Sequence, residues 1–206
     1  MIMATWVTAG FAALAIAAVA GWVLYMRSID QPSYDLVVKH GNIEVRDYGA
    51  MTVAEVTRRG DRDSAVRAGF RPLARYIFAK DRPGEKIAMT APVTQQVERM
   101  PDPNEGSGDQ TWKVHFIMPE GKEPGTLPKP SDEDVRLLRI EAKRHAAIRF
   151  SGRADDRLIK ANESRLRSWL DEYGYTAVGP AVYAYYDDPF TPGMFRRNEV
   201  LFEVQR

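Results

Sequence analysis

Lys86-Ile87-Ala88-Met89-Thr90-Ala91-Pro92-Val93-Thr94 is the stretch on which the reading of this chain turns. It follows a turn-like Arg82-Pro83-Gly84 and, before that, an amphipathic helical pattern. Its β-branched residues favour extended backbone, while Pro92 has no N–H for a ladder. That combination suits an edge strand, a strand end or a bulge, not a central strand. The expectation is a strand over residues 87–97.

Working outward, the preceding helix is capped by Asp61 or Asp63 and runs to about Phe78. Val66, Phe70, Leu73 and Ile77 fall at i, i+4, i+7 and i+11 as one apolar stripe, with Arg67, Arg71 and Arg75 beside it. Pro72 is expected to kink this helix or restrict its regular part. Earlier still, strands are predicted over residues 34–40, 43–48 and 51–57, the first two joined by a Gly41-Asn42 turn. In the second strand Ile43, Val45 and Asp47 share one face and Glu44, Arg46 and Tyr48 the other.

Beyond the opening stretch, residues 100–110 read as an exposed loop, and Trp112, Val114, Phe116 and Met118 alternate as a half-buried strand. Two more strands (135–141, 145–150), a helix over residues 156–173 ending at Gly174, and two final strands (181–186, 200–204) follow. Strand–strand–helix–strand–strand thus occurs twice, after one leading strand. The fold class expected is α+β, with duplicated halves joined into a curved antiparallel sheet or distorted β-barrel carrying two packed helices.

The 206 residues, 44% hydrophobic and 28% charged, suffice for one cored domain plus an appendage. A net charge of +1 gives no electrostatic case for nucleic acid. The absence of cysteine removes disulfides, thiolate metal sites and cysteine nucleophiles. Residues 4–26 carry no charge and are long enough to span a bilayer, with Trp6 at one end and Trp22 and Tyr25 at the other. The division is therefore an N-terminal transmembrane anchor over residues 1–27, a linker over 28–33 and a domain over 34–206. A cleaved signal is the alternative, since Ala18-Val19-Ala20 precedes Gly21; the lack of Lys or Arg before the apolar run favours the single-pass anchor. Arg27 and Lys39 favour a cytoplasmic domain, whereas secretory targeting would place it outside.

The three histidines, His40, His115 and His145, lie on or beside predicted strands at no metal-ligand spacing, so structural roles are expected. No phosphate loop, nucleophile elbow or triad ordering is present. The first helix offers more. Its apolar stripe beside arginines can wall a pocket for a flat apolar ligand bearing carboxylates, or can be ordinary core with a solvated edge.

Several segments together resemble the SOUL heme-binding family. They are the opening stretch, residues 43–48, Gly69-Phe70 with Leu73 and Tyr76-Ile77, Phe116-Ile117-Met118-Pro119, and Arg197-Asn198-Glu199-Val200, in an alignment spanning about residues 34–204. The resemblance implies the α+β architecture above and a non-catalytic protein that binds heme or a related tetrapyrrole. It places one wall of the site on Arg67, Phe70, Ala74 and Arg75, with Leu73 packing beside Phe70. The opposite lip falls on residues 189–195 with Phe190, Met194 and Phe195. Two departures stand out. Asp47 occupies the place of an axial histidine found in one branch, and Thr191 that of a basic lip residue, so the resemblance implies a pocket gripping the macrocycle without a dedicated axial ligand. Two other readings remain from the sequence: an effector-binding module for amphipathic small molecules, whose doubled layout this chain shares, and a hydrolase using Glu55, which would require a raised Glu55 pKa.

Overall fold

In the computed structural model, residues 28–98 and 110–205 are described, together with Gly21 and Tyr25. The first half comprises β1 (Tyr34–His40), β2 (Ile43–Tyr48), β3 (Met51–Arg59), α1 (Arg62–Ile77), β4 (Val93–Val97) and β5 (Thr111–Ile117). The second comprises β6 (Arg136–Ile140), β7 (Lys143–Ser151), α2 (Asp156–Tyr173), β8 (Thr176–Tyr185) and β9 (Arg197–Gln205).

All nine strands form one antiparallel sheet in the order β1-β2-β7-β9-β8-β4-β5-β3-β6. Exchanging β2 with β6, β3 with β7, β4 with β8 and β5 with β9 turns the order from β2 to β6 into its own reverse. The duplication expected from element order is therefore a pseudo-two-fold axis between β8 and β4. Each half hands its first strand to the other, since β2 pairs with β7 and β6 with β3. Among the described residues β1 and β6 do not pair, so the sheet stays open and curved instead of closing as a barrel.

Both helices lie on one face. Asp61 caps α1 by accepting from Ser64 N at 2.9 Å, and Asp155 caps α2 from Leu158 N at 2.8 Å. Gly174, at φ +71°, ends α2 in the left-handed conformation expected of it. Beneath α1, Leu73, Tyr76 and Ile77 pack on Ala54, Val56, Val114 and Phe116; beneath α2, Leu166, Trp169 and Leu170 pack on Val45, Ile148, Val200 and Phe202. Residues one step along the same strands, such as Ala147 and Leu201, face the other way and form a third cluster with Tyr48, Ala184 and Tyr186.

Three expectations are revised. The buried stripe of α1 is Ala65, Gly69, Pro72, Leu73, Tyr76 and Ile77. A Cβ on Gly69 would stand 2.8 Å from Val114 Cγ2, so the closest approach to the sheet runs along Gly69 and turns Phe70 out to the flank. Helix α1 also continues through Pro72. The carbonyl that proline leaves without an amide partner is that of Ala68, an exposed residue where water serves.

Residues 86–92 are not a strand. Ile87 N donates to Ile77 O at 2.8 Å, Thr90 Oγ1 donates to Ile117 O, and Ala91 N donates to Asp30 O at 2.8 Å. Ile87 and Met89 join the core under α1 while Ala91 joins the cluster on the opposite face, so the segment stitches the two sides together. β4 begins only after Pro92, whose bond to Ala91 is cis, which agrees with the strand-end reading. Its partner in this stitching is the expected linker. Ile29 packs against the opposite-face cluster, Asp30 bridges Thr90, Gln31 accepts from Arg197 Nη1 at 3.0 Å, and Ser33 donates to Glu120 at 3.2 Å. Residues 28–33 thus form a strap across the helix-free face.

The expected membrane span over residues 4–26 lies outside the described residues apart from Gly21 and Tyr25, as do residues 100–109 of the expected loop. Among the described residues no helix is long and apolar enough to cross a membrane.

Candidate functional site

Positions 67, 70, 71, 74 and 78 fall within one face of α1, turned away from the sheet. Phe70 is 40% exposed and meets Phe116 edge-on at 5.1 Å between ring centroids; Phe78 at the helix end is also exposed. Ala74 is half-buried between them. Arg67 pairs with Asp63 at 2.6 Å, one turn back, and Arg75 with Asp81 at 2.7 Å. Such exposed pairs contribute at most about 1 kcal/mol, so either guanidinium is readily exchanged to a stronger carboxylate partner. Arg71, exposed between them, has no ion-pair partner among the described residues. Leu73 stands behind this face, fully buried in the α1 core, and has no surface to offer a ligand directly.

The loop of residues 187–196 is ordered by its own polar atoms. Asp188 Oδ1 accepts from Phe190 N at 2.6 Å and Thr191 N at 3.0 Å; Asp187 Oδ2 accepts from Arg197 N at 2.6 Å. Arg196 donates to the Thr191 carbonyl at 2.7 Å and to that of Pro189. Thr191 is thereby buried, which turns the apolar side chains outward. Phe190 is 88%, Met194 75% and Phe195 46% exposed.

The loop and the first residue of α1 are both tied to the segment of residues 152–156. Gly152 N donates to Gly193 O at 3.0 Å, and Gly193 lies against Arg153. One residue on, Ala154 O accepts from Arg62, the first residue of α1, at 2.7 Å. Arg62 also holds Asp156 at 2.7 Å and the Tyr185 hydroxyl at 2.7 Å. Burial pushes that hydroxyl up to about 12, so it stays a neutral hydrogen-bonding group. Arg67 sits in the first half of α1 and Phe70 just past its midpoint, and Arg75 lies about 12 Å along the helix from Arg67.

The other candidates are engaged elsewhere. His40 Nδ1 accepts from Trp169 Nε1 at 3.0 Å beside Tyr173. His115 bonds Glu55 at 2.8 Å, and this contact holds the Glu55 carboxyl below its ordinary value against the effect of burial. A hydrolase needs the opposite shift. His145 is pushed down by burial and lies edge-on to Tyr48. Asp47 forms a bidentate pair with Arg144, both contacts 2.6 Å. Among the described residues no group of three or more His, Asp or Glu is arranged to hold a metal ion.

The sequence did not reveal two further features. One is a buried network on the helix-free face. Glu199 accepts from Arg46 at 2.7 and 3.1 Å, from Arg197 at 2.7 and 3.1 Å and from Tyr186 at 2.9 Å, with Tyr48 bonded to Arg46 at 3.0 Å. Burial raises the Glu199 carboxyl, but the two guanidiniums more than offset it and hold it low. The other is a polar cavity of about 490 Å³ lined by the strap, the β2–β3 turn and residues 117–123, with Arg139 across it.

Comparison with known proteins identifies the scaffold. By structure, the chain is similar to the EcmrR C-terminal domain, at a TM-score of 0.59 and 15% identity over 84% of this chain and 98% of that one. It is also similar to a hydrolase from Listeria innocua, at a TM-score of 0.55 and 13% identity over 82% and 94%. At these identities the likeness is one of fold alone. By sequence, it is 36% identical to human (Homo sapiens) heme-binding protein 2 over 81% of this chain and 79% of the relative. It is 32% identical to heme-binding protein 1 of Mus musculus over 74% and 77%. The names of these relatives describe binding, not catalysis. The model of the SOUL heme-binding proteins matches residues 29–203, and the chain belongs to that family.

Proposed function

We propose that this protein is a membrane-tethered binder of heme or a related tetrapyrrole that buffers, carries or senses it. The observation that carries the reading is the outer face of α1, where exposed Phe70 and the adjoining Ala74 lie among Arg67, Arg71 and Arg75, together with the 187–196 loop, which presents Phe190, Met194 and Phe195 and is tied through residues 152–154 to the helix's first residue. An aromatic surface beside weakly committed guanidiniums suits a flat macrocycle carrying carboxylates. Phe70 and Ala74 would face the ring, the loop would form the second lip, and the arginines would hold the propionates. No imidazole is placed to serve this face: His40 sits against Trp169 of α2, His115 is held by Glu55, and His145 lies beneath Tyr48. The residues fit a ligand gripped by its faces and acids, not by an axial imidazole bond. Residues 4–26 would supply the tether.

Titration of residues 28–206 with hemin, followed by Soret absorbance, with metal-free protoporphyrin in parallel, tests this. Saturable one-to-one binding of both ligands with similar affinity is expected. The double variant Arg67→Ala/Arg75→Ala should bind roughly tenfold or more weakly, from the loss of charge-assisted hydrogen bonds, with its unfolding transition unchanged. A sharp six-coordinate spectrum, or unchanged affinity in the double variant, would overturn the assignment.

A further inference from the structure

Helix α1 carries Arg67, Arg71 and Arg75 one turn apart, and the three are not equivalent. Its buried positions Ala65, Gly69, Pro72, Leu73, Tyr76 and Ile77 fix one inward direction. At about 100° per residue, the opposite, outward direction falls on Phe78, with Arg67 and Arg71 about 20° to either side of it. Phe78 keeps the helical register, since its N–H still bonds the Ala74 carbonyl at 3.0 Å. Phe70 lies about 80° round on one flank and Arg75 about 60° round on the other, so these two stand on opposite sides of the helix. Counter-charges are distributed unequally as well. Arg67 is held by Asp63 and Arg75 by Asp81, while exposed Arg71 has no carboxylate partner among the described residues. Its neighbours at i−4 and i+4 are both arginines, and like charges at that spacing oppose each other. Beside it runs an apolar row at i, i+4 and i+8, in which Phe70, 40% exposed, and Phe78, 36% exposed, flank the half-buried Ala74.

Given the tetrapyrrole site proposed for this face, we infer that Arg71 is the partner of Arg67 in holding the ligand's acids, and that Phe78 extends the row on which the ring lies. The face then suits a macrocycle with two carboxylates side by side on one edge. Side chains at i and i+4 start about 5–6 Å apart, and both of these point outward beside the row. Two guanidiniums so placed take neighbouring carboxylates while the ring covers Phe70, Ala74 and Phe78. A carboxylate there gives Arg71 the counter-ion that the chain itself does not. Arg75, by contrast, has to leave Asp81 and reach round from the far flank. The family resemblance points to Arg67 and Arg75; exposure and pairing point to Arg67 and Arg71.

The full chain, solubilised in an uncharged detergent with a protein-free blank, is titrated with metal-free protoporphyrin and with its dimethyl ester. The variants Arg71→Gln, Arg75→Gln and Phe78→Ala are treated alike, and thermal unfolding of each is followed without ligand. Arg71→Gln should weaken protoporphyrin binding roughly tenfold and leave binding of the ester unchanged. It should not lower the unfolding midpoint, because it removes a charge set between two like charges. Arg75→Gln should cost less than Arg71→Gln, and Phe78→Ala should weaken both ligands to the same degree. Unchanged protoporphyrin affinity in Arg71→Gln, or a loss in Arg75→Gln as large as in Arg71→Gln, overturns the pairing. An equal loss for the ester also overturns it, since Arg71 then meets no carboxylate. Unchanged binding in Phe78→Ala overturns the extension of the row. A natural chain that binds neither ligand overturns the tetrapyrrole reading itself, and the pairing with it.

Discussion

Glu199 lies between two guanidiniums, and each of its oxygens accepts from at least one of them. Removing one partner of a buried ion pair costs roughly 3–5 kcal/mol because the remaining charge stays desolvated. Glu199→Gln should therefore lower stability by about that amount, read from urea unfolding, far more than loss of the exposed Arg67–Asp63 pair. The same group sets a pH dependence. Its folded pKa lies below the unfolded value, so its stabilisation is complete above the ordinary carboxylate range and is lost as pH falls through the folded value. His145 acts in the same direction. Buried and held below its usual value, it resists the proton that the unfolded chain takes up below about pH 6.5. Thermal denaturation midpoints should decline in two stages on acidification, and His145→Gln should remove the one nearer neutrality. None of this was legible in the sequence. Alternation set Glu44, Arg46 and Tyr48 on one face of β2, but their counter-charge arrives from β9, across β7.

Single elements were legible where local chemistry decides them. α2 begins and ends at the expected residues because Asp155 caps it and Gly174 turns it off, both signals within the element itself. Stitching by residues 86–92 was not legible, since their β-branched residues satisfy hydrogen bonds on α1, β5 and the strap, none of which is local. The α1 face lies between these cases. The arginine stripe was readable from spacing, whereas the outward turn of Phe70 depends on how closely Gly69 lets the helix approach Val114 and Val56. Gly69→Leu should lift α1 from β5 and destabilise the fold by about 1–3 kcal/mol, as overpacking does, seen as a lower Tm. It should also weaken hemin binding, because Phe70 would move with the helix.

At the scale of the whole molecule, the exchange of β2 and β6 makes the halves interdependent. Cutting the chain in the exposed segment after Pro130 leaves β6 in the fragment that lacks β3, and β2 in the fragment that lacks β7. Residues 28–130 and 131–206 should each show no cooperative unfolding alone and should regain native circular dichroism as a one-to-one complex; a cooperative transition in either fragment by itself would contradict the exchange. The duplication was visible as a rhythm of elements, but the exchange was not, because no strand names its partner. The position of β9 has a further consequence for synthesis. Of the described strands, the last in chain order, β9, is an interior one, flanked by β7 and β8, and it carries both Glu199 and the Arg197 that holds the strap. Until it emerges, the nascent chain presents two unpaired strand edges, and Arg46 has Glu44 alone as its carboxylate partner. Folding therefore cannot proceed domain-end first. It waits for residues 197–205, and a message cut short within them yields a chain with eight of the described strands and no finished sheet.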